Sequence, residues 1–191
     1  LASTASFPQG KPEYKQLTQS QFDSLKYYEY GIYRVEINEK QVNRCLFKIN
    51  PHHHYTHSEL KLAKSLGYDM KVISDTSANA CLYKRRVTGS QIFGPYVHYL
   101  FPMKEKHKNP LIKSLLNILW GALCQKKYEY EHSSQKQITI NQHDKVEVYP
   151  NNVETHYIVK TEKEYKMPYA RLGVFLTGKG RVKLAEIMRP I

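Results

Sequence analysis

The run "NPLIKSLLNILWGALCQKK", residues 109–127, decides how the rest of the chain is organised. Its leucines and isoleucines cover most of a helical surface, which predicts a largely buried α-helix. At about 100° per residue, one stripe of that helix carries Lys113, Asn117, Trp120 and Gly121. A cation, an amide, a flat ring and an open backbone on one stripe can hold a nucleotide. The alternative is a plain core helix whose lysine extends along its own stem to solvent.

The composition favours a polyanionic partner. The 191-residue chain carries 29 Lys and Arg against 17 Asp and Glu, a formal net charge of +12, together with 16 tyrosines. Cations meet phosphates and aromatic rings stack on bases, so nucleic acid is favoured over a membrane surface. The alternative is a merely soluble basic protein. No run approaches the roughly 18 apolar residues of a membrane span, so no membrane partner is expected.

The spacing of the cysteines and histidines does not predict a metal site. Three isolated cysteines, Cys45, Cys81 and Cys124, favour reduced thiols in an intracellular compartment over a disulfide framework. The run "HHHYTH" (52–57) places adjacent histidines on an extended chain, where they point in divergent directions and lack a completing cysteine or carboxylate. We expect an exposed loop there, or a surface that contacts phosphate when the histidines are protonated.

Alternating patterns predict a small mixed subdomain in the first half of the chain. Residues 1–20 are rich in turn-forming residues and indicate a loop. "GIYRVEI" (31–37) alternates as a strand does, with "CLFKI" (45–49) as a plausible partner strand. "DMKVIS" (69–74) and "ACLYKR" (80–85) predict two further strands.

Helix signals follow at two places. Thr56 and Glu59 have the spacing of a capping box, and Gly67 has the position of a C-terminal cap, so a short helix is predicted between them. From Gln91 onward apolar residues again fall at helical spacing, and Pro95 within this stretch predicts a helix start or a kink. A basic turn (104–110) then leads into the first-quoted helix, which predicts an antiparallel helix pair.

The last third predicts a hairpin and a helix. Residues 128–168 contain "KVEVY" and "THYIVK" around "PNN", the pattern of an exposed β-hairpin. Residues 171–188 have helical periodicity, although Gly178 and Gly180 interrupt it at about 1 kcal/mol each relative to alanine. That cost indicates that another group approaches this backbone closely.

The helical stripe also carries a family resemblance. Lys113-x-x-x-Asn117-x-x-Trp120-Gly121 resembles the K-x-x-x-N-S-x-Y-G signature on the fingers helix of family B DNA polymerases. Ile118 and Trp120 stand where the family has serine and tyrosine. The resemblance implies that Lys113 binds the triphosphate of an incoming dNTP, with Asn117, Trp120 and Gly121 around the nascent base pair.

A second motif is similar to one in the protein-primed members of that family. "TGKGR" (177–181) matches their T-x-x-G/A-R motif, which contacts template DNA. By that likeness Arg181 clamps a phosphate, the Thr177 hydroxyl reaches the next oxygen, and Gly178 and Gly180 omit side chains where the DNA backbone approaches.

The segment before the stripe resembles the finger hairpin of the same polymerases. There a lysine near the end of the first helix joins the signature lysine in binding the triphosphate. In this sequence that lysine is Lys104, with Lys106 or Lys108 as helpers.

The resemblance implies five segments. They are a lead-in after the first catalytic motif (1–12), a first inserted subdomain (13–90), the fingers helices (91–125), a second insertion with a β-hairpin (126–168) and a palm helix (169–191). In the family the insertions engage the terminal protein and DNA and support strand displacement.

The sequence departs from the family in its carboxylates. Two-metal phosphoryl transfer needs paired aspartates in D-x-x-S-L-Y-P and D-T-D contexts, and neither context is present. These motifs are expected before residue 1 and after residue 191, so we expect no catalytic or metal-binding residue here, and no activity of this chain alone. The full enzyme would need Mg²⁺. The aspartates present are isolated: Asp23, Asp69, Asp75 and Asp144.

These observations predict an α+β fold and a role in DNA-directed DNA synthesis. The expected partners are a DNA template and primer, dNTP, a terminal priming protein and the rest of the polymerase polypeptide. The alternative is a non-catalytic single-stranded nucleic-acid-binding module, a decayed or split polymerase. A virus, a linear plasmid and an organelle all remain open as the source.

Overall fold

A computed structural model describes residues 4–39, 42–107, 110–133, 145–150, 155–165 and 169–189 of the chain. These residues form two compact units, the first of Leu1–Leu116 with Arg171–Ile191 and the second of Asn117–Ala170. Helices alternate with antiparallel strand pairs, so the predicted α+β class is confirmed.

The elements in chain order are β1 (Ser6–Gln9), β2 (Glu13–Lys15), α1 (Gln19–Asp23), β3 (Gly31–Ile37), β4 (His54–Thr56), α2 (His57–Ser65), β5 (Met70–Val72), β6 (Ala80–Leu82), β7 (Arg85–Thr88), α3 (Gly89–His107), α4 (Pro110–Leu123), β8 (Lys126–Ser133), β9 (Lys145–Pro150), β10 (Thr155–Tyr165) and α5 (Ala170–Met188).

The strand predicted from "GIYRVEI" is confirmed as β3, the centre of the first unit. Tyr33, Val35 and Ile37 lie on its buried face, each exposing 2% or less of its surface. β3 pairs with β4 and β6, and also with β5, where Val35 lies opposite Val72. The alternating pattern predicted this strand correctly because successive side chains point to opposite faces, and the face with Tyr33, Val35 and Ile37 meets the core.

Two expectations for the N-terminal half were wrong. The first 20 residues contain the strands β1 and β2, which pair with β7 and β6 from more than 60 residues away along the chain. "CLFKI" forms no strand, since residues 44–46 make a turn and Phe47 packs between Tyr55 and Tyr68 instead. In both segments, contacts with residues distant in the sequence determined the secondary structure more strongly than the local sequence pattern did.

The helix predicted after Thr56 is confirmed as α2. The Thr56 hydroxyl accepts from the Glu59 backbone N–H, and the Glu59 carboxylate accepts from the Thr56 backbone N–H at 2.8 Å. Gly67 has φ +75°, the left-handed conformation that ends a helix. Leu60 and Ala63 are wholly buried against the sheet.

The prediction for Pro95 was wrong as a helix start. α3 begins at Gly89 because Thr88 caps it, with the Gln91 side chain accepting from the Thr88 backbone N–H at 2.9 Å. α4 begins at Pro110, and the Tyr96 hydroxyl donates to the Leu115 carbonyl oxygen at 2.7 Å. α3 and α4 therefore touch, as expected of the helix pair.

The expectation that α4 is largely buried was also wrong. Leu111 exposes 70% and Leu115 exposes 47% of its surface, and in the second unit Ile118 exposes 59%. The buried core of the first unit gathers around β3 and α2, and no buried residue of that core comes from the described side chains of α4. The polar residues Lys113 and Asn117 of this helix are therefore exposed to solvent and are not buried in a core.

The second unit contains the predicted hairpin. β9 and β10 pair antiparallel, and β8 adds a third strand on the other side of β10. Residues 151 and 152 of the predicted turn lie outside the described residues.

Within the described ranges, no helix combines the length and the apolarity that crossing a membrane would require.

Candidate nucleic-acid interface

The last helix, α5, lies against the cap of α2. A Cβ built on Gly178 would stand 2.7 Å from Oγ1 of Thr56 and 3.1 Å from Oε2 of Glu59, which is closer than a side chain tolerates. The sequence predicted a close approach at this glycine and attributed it to DNA. At Gly178 that attribution was wrong, because the approaching group is the capping box of α2.

Arg181 is tied to the same cap. Its guanidinium donates to Oε1 of Glu59 at 2.9 Å, and Oε2 of that carboxylate accepts from the Thr56 hydroxyl at 2.9 Å. The Glu59 side chain is 6% exposed and that of Arg181 is 39% exposed. Arg181 therefore neutralises a buried carboxylate while part of its side chain stays exposed to solvent.

The other two residues proposed for template contact lie near Arg181 on α5. Thr177 is exposed, and its hydroxyl donates to the Gly173 carbonyl oxygen one turn earlier at 2.7 Å. Gly180 is half-buried. The Thr177 hydroxyl must therefore rotate away from Gly173 before it can donate to another oxygen.

The two lysines proposed for the triphosphate flank the connection between α3 and α4. Lys104 lies near the end of α3, where its ammonium is 2.9 Å from Oε1 of Glu105 and 4.9 Å from the Phe101 ring centroid. Lys113 is exposed near the start of α4. The helper Lys106 is exposed on α3, and Lys108 lies outside the described residues.

The remaining signature residues belong to the part of α4 in the second unit. Asn117 is exposed, and a Cβ on Gly121 would meet nothing within 4 Å. The Trp120 side chain lies outside what the structure describes. Each described position is thus accessible to a ligand.

An aromatic cluster that the sequence did not reveal anchors α5 in the first unit. Tyr30 stacks on Phe175 with ring centroids 4.5 Å apart and an interplanar angle of 10°. Tyr83 meets Phe175 edge-on at 5.8 Å, and the Arg86 guanidinium lies 5.3 Å from the Tyr30 ring centroid. These residues come from distant segments, so no periodicity could have joined them.

A cationic cavity of about 250 Å³ opens beside that cluster. Inside it, the Lys179 ammonium donates to the carbonyl oxygen of Thr4 at 2.6 Å and lies 3.2 Å from the Thr4 hydroxyl oxygen. Burial lowers the pKa of His57, and the nearby Arg86 lowers it further. The lining residues are Thr4, Ser6, Tyr30, His57, Ser58, Arg86, Phe175 and Lys179.

A second cavity, of about 500 Å³, shares His57 with the first. It has a basic and aromatic wall, in which the Lys64 ammonium lies 5.7 Å from the Tyr28 ring centroid. The lining residues are Lys26, Tyr27, Tyr28, His57, Lys61, Lys64 and Ser65. Sequence reasoning singled out His57 but did not connect it with these lysines.

Comparison with known families decides the family of the chain. The family model described as DNA polymerase type B, organellar and viral, matches residues 2–172. The chain belongs to the organellar and viral type B DNA polymerases. The matched range of this type B polymerase includes Lys104 and the whole α4 signature and ends before Thr177. Searches of curated proteins and of solved structures found no match.

Type B polymerases use divalent metal ions, which prefer carboxylate ligands. Among the described residues, no three His, Cys, Asp or Glu side chains are grouped so as to hold a metal ion. No step of phosphoryl transfer is therefore assigned to the described aspartates and glutamates.

Proposed function

We propose that this chain binds the incoming dNTP and the template strand during DNA-directed DNA synthesis by a protein-primed type B polymerase. The observation that carries the proposal is the α4 signature, which lies inside the family match. Lys113 and Asn117 of that signature are exposed side chains, available to a ligand.

The two lysines at the helix pair provide charge for the triphosphate. Lys113 is exposed, and Lys104 can exchange its exposed partner Glu105 for a phosphate at little cost, because solvent-exposed ion pairs contribute about 0–1 kcal/mol. Asn117 and Trp120 would shape the pocket of the nascent base pair. The open space beside Gly121 leaves the helix backbone accessible there.

Arg181, Thr177 and Gly180 would hold the template strand. The exposed part of the Arg181 guanidinium can donate to a phosphate while the same side chain stays bonded to Glu59, since a guanidinium has five N–H donors. The cap of α2 would then orient Arg181 toward the DNA. A rotation of the Thr177 hydroxyl would add a second donor.

The reacting groups would come from elsewhere. We propose that aspartates outside this sequence hold the Mg²⁺ ions that activate the primer terminus, within a longer polymerase polypeptide. A DNA primer and a terminal priming protein are the further partners of that enzyme. This chain by itself is expected to give no primer extension.

The nucleotide role is tested by titration with a fluorescent dNTP. Lys113→Ala is expected to weaken binding by about 10-fold to 150-fold, because a lost charge-assisted hydrogen bond removes about 1.5–3 kcal/mol. Lys183→Ala is the matched control, since Lys183 is exposed on α5 and forms an exposed ion pair with Glu186 across one turn. Equal affinity of Lys113→Ala and the unmodified chain would overturn the nucleotide role.

The proposed contact of Arg181 with the template is tested with a variant that does not leave the buried Glu59 carboxylate without a partner. Glu59→Gln removes the carboxylate, and the double variant Glu59→Gln/Arg181→Ala then removes the guanidinium without stranding its partner. Compared with Glu59→Gln alone, the double variant should lower the salt slope of single-stranded DNA binding by about 0.7, the value for one phosphate contact. Identical slopes would refute the contact by Arg181.

A further inference from the structure

We infer that the first unit carries a second contact site for single-stranded DNA, along the exposed face of α2. The site, here called the α2 track, runs from Lys179 and Arg86 past His57 to Lys61 and Tyr27. It rests on the proposed function for the identity of the ligand as DNA. It uses none of the residues assigned above to the dNTP or to the template.

The two cationic cavities adjoin at His57, which lines both of them. His57, Lys61 and Lys64 are spaced by four and three residues, so they lie on one face of α2. The first cavity opens at the start of that face, and the second follows it toward the end of the helix. A strand in extended conformation can cross both cavities.

Cations dominate the two cavities of the track. Within the described part of the chain no aspartate or glutamate lines either cavity, although Asp23 lies near Tyr28 and Glu59 lies near His57. Among the described residues no ion pair involves Arg86, Lys61 or Lys26, whereas Glu59, on the same helix, is committed to Arg181. Unpaired cations gathered along a groove attract a polyanion and release its counterions on binding.

The first cavity fits a phosphate group. Arg86 offers a planar fork of donors, and the hydroxyls of Ser6 and Ser58 line the same space of about 250 Å³. Lys179 has two of its three donors directed at Thr4, which fixes the ammonium and leaves one donor for a ligand. The cavity is thus preorganised by its own chain.

The second cavity fits an unpaired base. Tyr27 exposes 73% of its surface, and Lys26, Lys61 and Lys64 line the same cavity. An exposed ring among lysines can stack on a base while the cations meet the flanking phosphates. Bases in a duplex are already stacked and paired, so this geometry favours a single strand.

The experiment measures binding of a fluorescein-labelled oligothymidylate to the full 191-residue chain by anisotropy over a salt series. Arg86→Ala/Lys61→Ala should lower the slope of log K against log salt by about 1.4, or about 0.7 for each lost contact. The control Arg44→Ala/Lys48→Ala removes one arginine and one lysine that are exposed outside both cavities. Equal losses in the two double variants would overturn the α2 track.

Stacking is tested at Tyr27. Tyr27→Ala should weaken oligothymidylate binding about tenfold, within the range found for loss of one stacked base, whereas Tyr27→Phe keeps the ring and should bind as the unmodified chain does. A Tyr27→Ala variant that binds normally would remove the base from the proposal. Polyglutamate that competes for Arg86 and Lys61 as well as the oligonucleotide does would instead indicate an acidic protein partner and overturn the DNA assignment.

Two further measurements keep the result unambiguous. Arg86 packs on Tyr30, so thermal unfolding must show that the double variant is folded; if it is not, the exposed Lys61→Ala alone should still lower the slope by about 0.7. Loss of dNTP binding in Lys113→Ala tests the proposed function separately. A normal salt slope in that variant, combined with a reduced slope in Arg86→Ala/Lys61→Ala, supports the α2 track independently.

Discussion

Arg181 and Glu59, which are 122 residues apart in the sequence, form an ion pair of 2.9 Å that joins α5 to the N-terminal cap of α2. Gly178, one turn earlier on α5, lets the two helices approach closely enough for that pair to form. The motif "TGKGR" therefore has a structural role in the first unit, in addition to the template contact proposed for it.

Glu59→Gln should reduce the free energy of unfolding by about 1–2 kcal/mol. The glutamine carbonyl oxygen can still cap Thr56, but its NH₂ group then faces the Arg181 guanidinium, so the loss combines the missing ion pair with this contact between donors. The value lies below the range for buried pairs because Arg181 is partly exposed. Urea unfolding is the measurement. Glu186→Gln, which breaks the exposed pair with Lys183 on the same helix, should cost about 0.5 kcal/mol or less.

Gly178→Ala should destabilise the chain by about 1–3 kcal/mol, the usual cost of overpacking, even though alanine is the better helix former. The new Cβ would meet Oγ1 of Thr56 at 2.7 Å. Gly121→Ala is the matched control: it faces open space and should stabilise α4 by about 0.5–1 kcal/mol. In thermal unfolding, Gly178→Ala should lower the midpoint temperature and Gly121→Ala should raise it. A shift in the same direction for both variants would contradict the close packing of α5.

Stability should fall as the pH drops below about 6.5, the ordinary pKa of histidine. Burial lowers the pKa of His57 in the folded chain, with Arg86 acting in the same direction and the Gly31 backbone and Glu59 opposing it. Above pH 6.5 both states hold His57 neutral; below it the unfolded state takes up the proton first and gains stability.

The matched comparison for that pH effect uses two glutamine variants. His57→Gln should flatten the loss of urea midpoint between about pH 6.5 and pH 5, and His98→Gln, at an exposed position of α3, should leave the loss unchanged. A flat profile for the unmodified chain would show that His57 does not resist protonation.

Thiol labelling should separate the three cysteines. Cys45 and Cys124 are exposed, whereas Cys81 is half-buried and burial raises its thiol pKa. Because the thiolate is the reactive form, a neutral reagent at pH 7 should modify Cys45 and Cys124 rapidly and Cys81 slowly. Peptide mass spectrometry after timed quenching checks the order. Labelling of Cys81 as fast as Cys45 would contradict the packing of β6.

The local elements were readable from the sequence because neighbouring residues encode them. The alternation in β3, the capping pair Thr56 and Glu59, and Gly67 at the helix end each act within a few residues. The family was readable for a similar reason, since the α4 signature lies within nine consecutive positions, 113 to 121. Exposure of α4 was misjudged, because an apolar pattern does not say which surface covers it.

The sequence by itself thus determined the fold class, the main helices, the central strand and the polymerase family. Only the tertiary structure decided the pairing of β1 with β7, the contact of Gly178 with Thr56, and the cavities that meet at His57. The physical reason is sequence separation: a capping box joins residues within one turn of chain, whereas Arg181 and Glu59 are 122 residues apart and are brought together by the packing of α5 on α2.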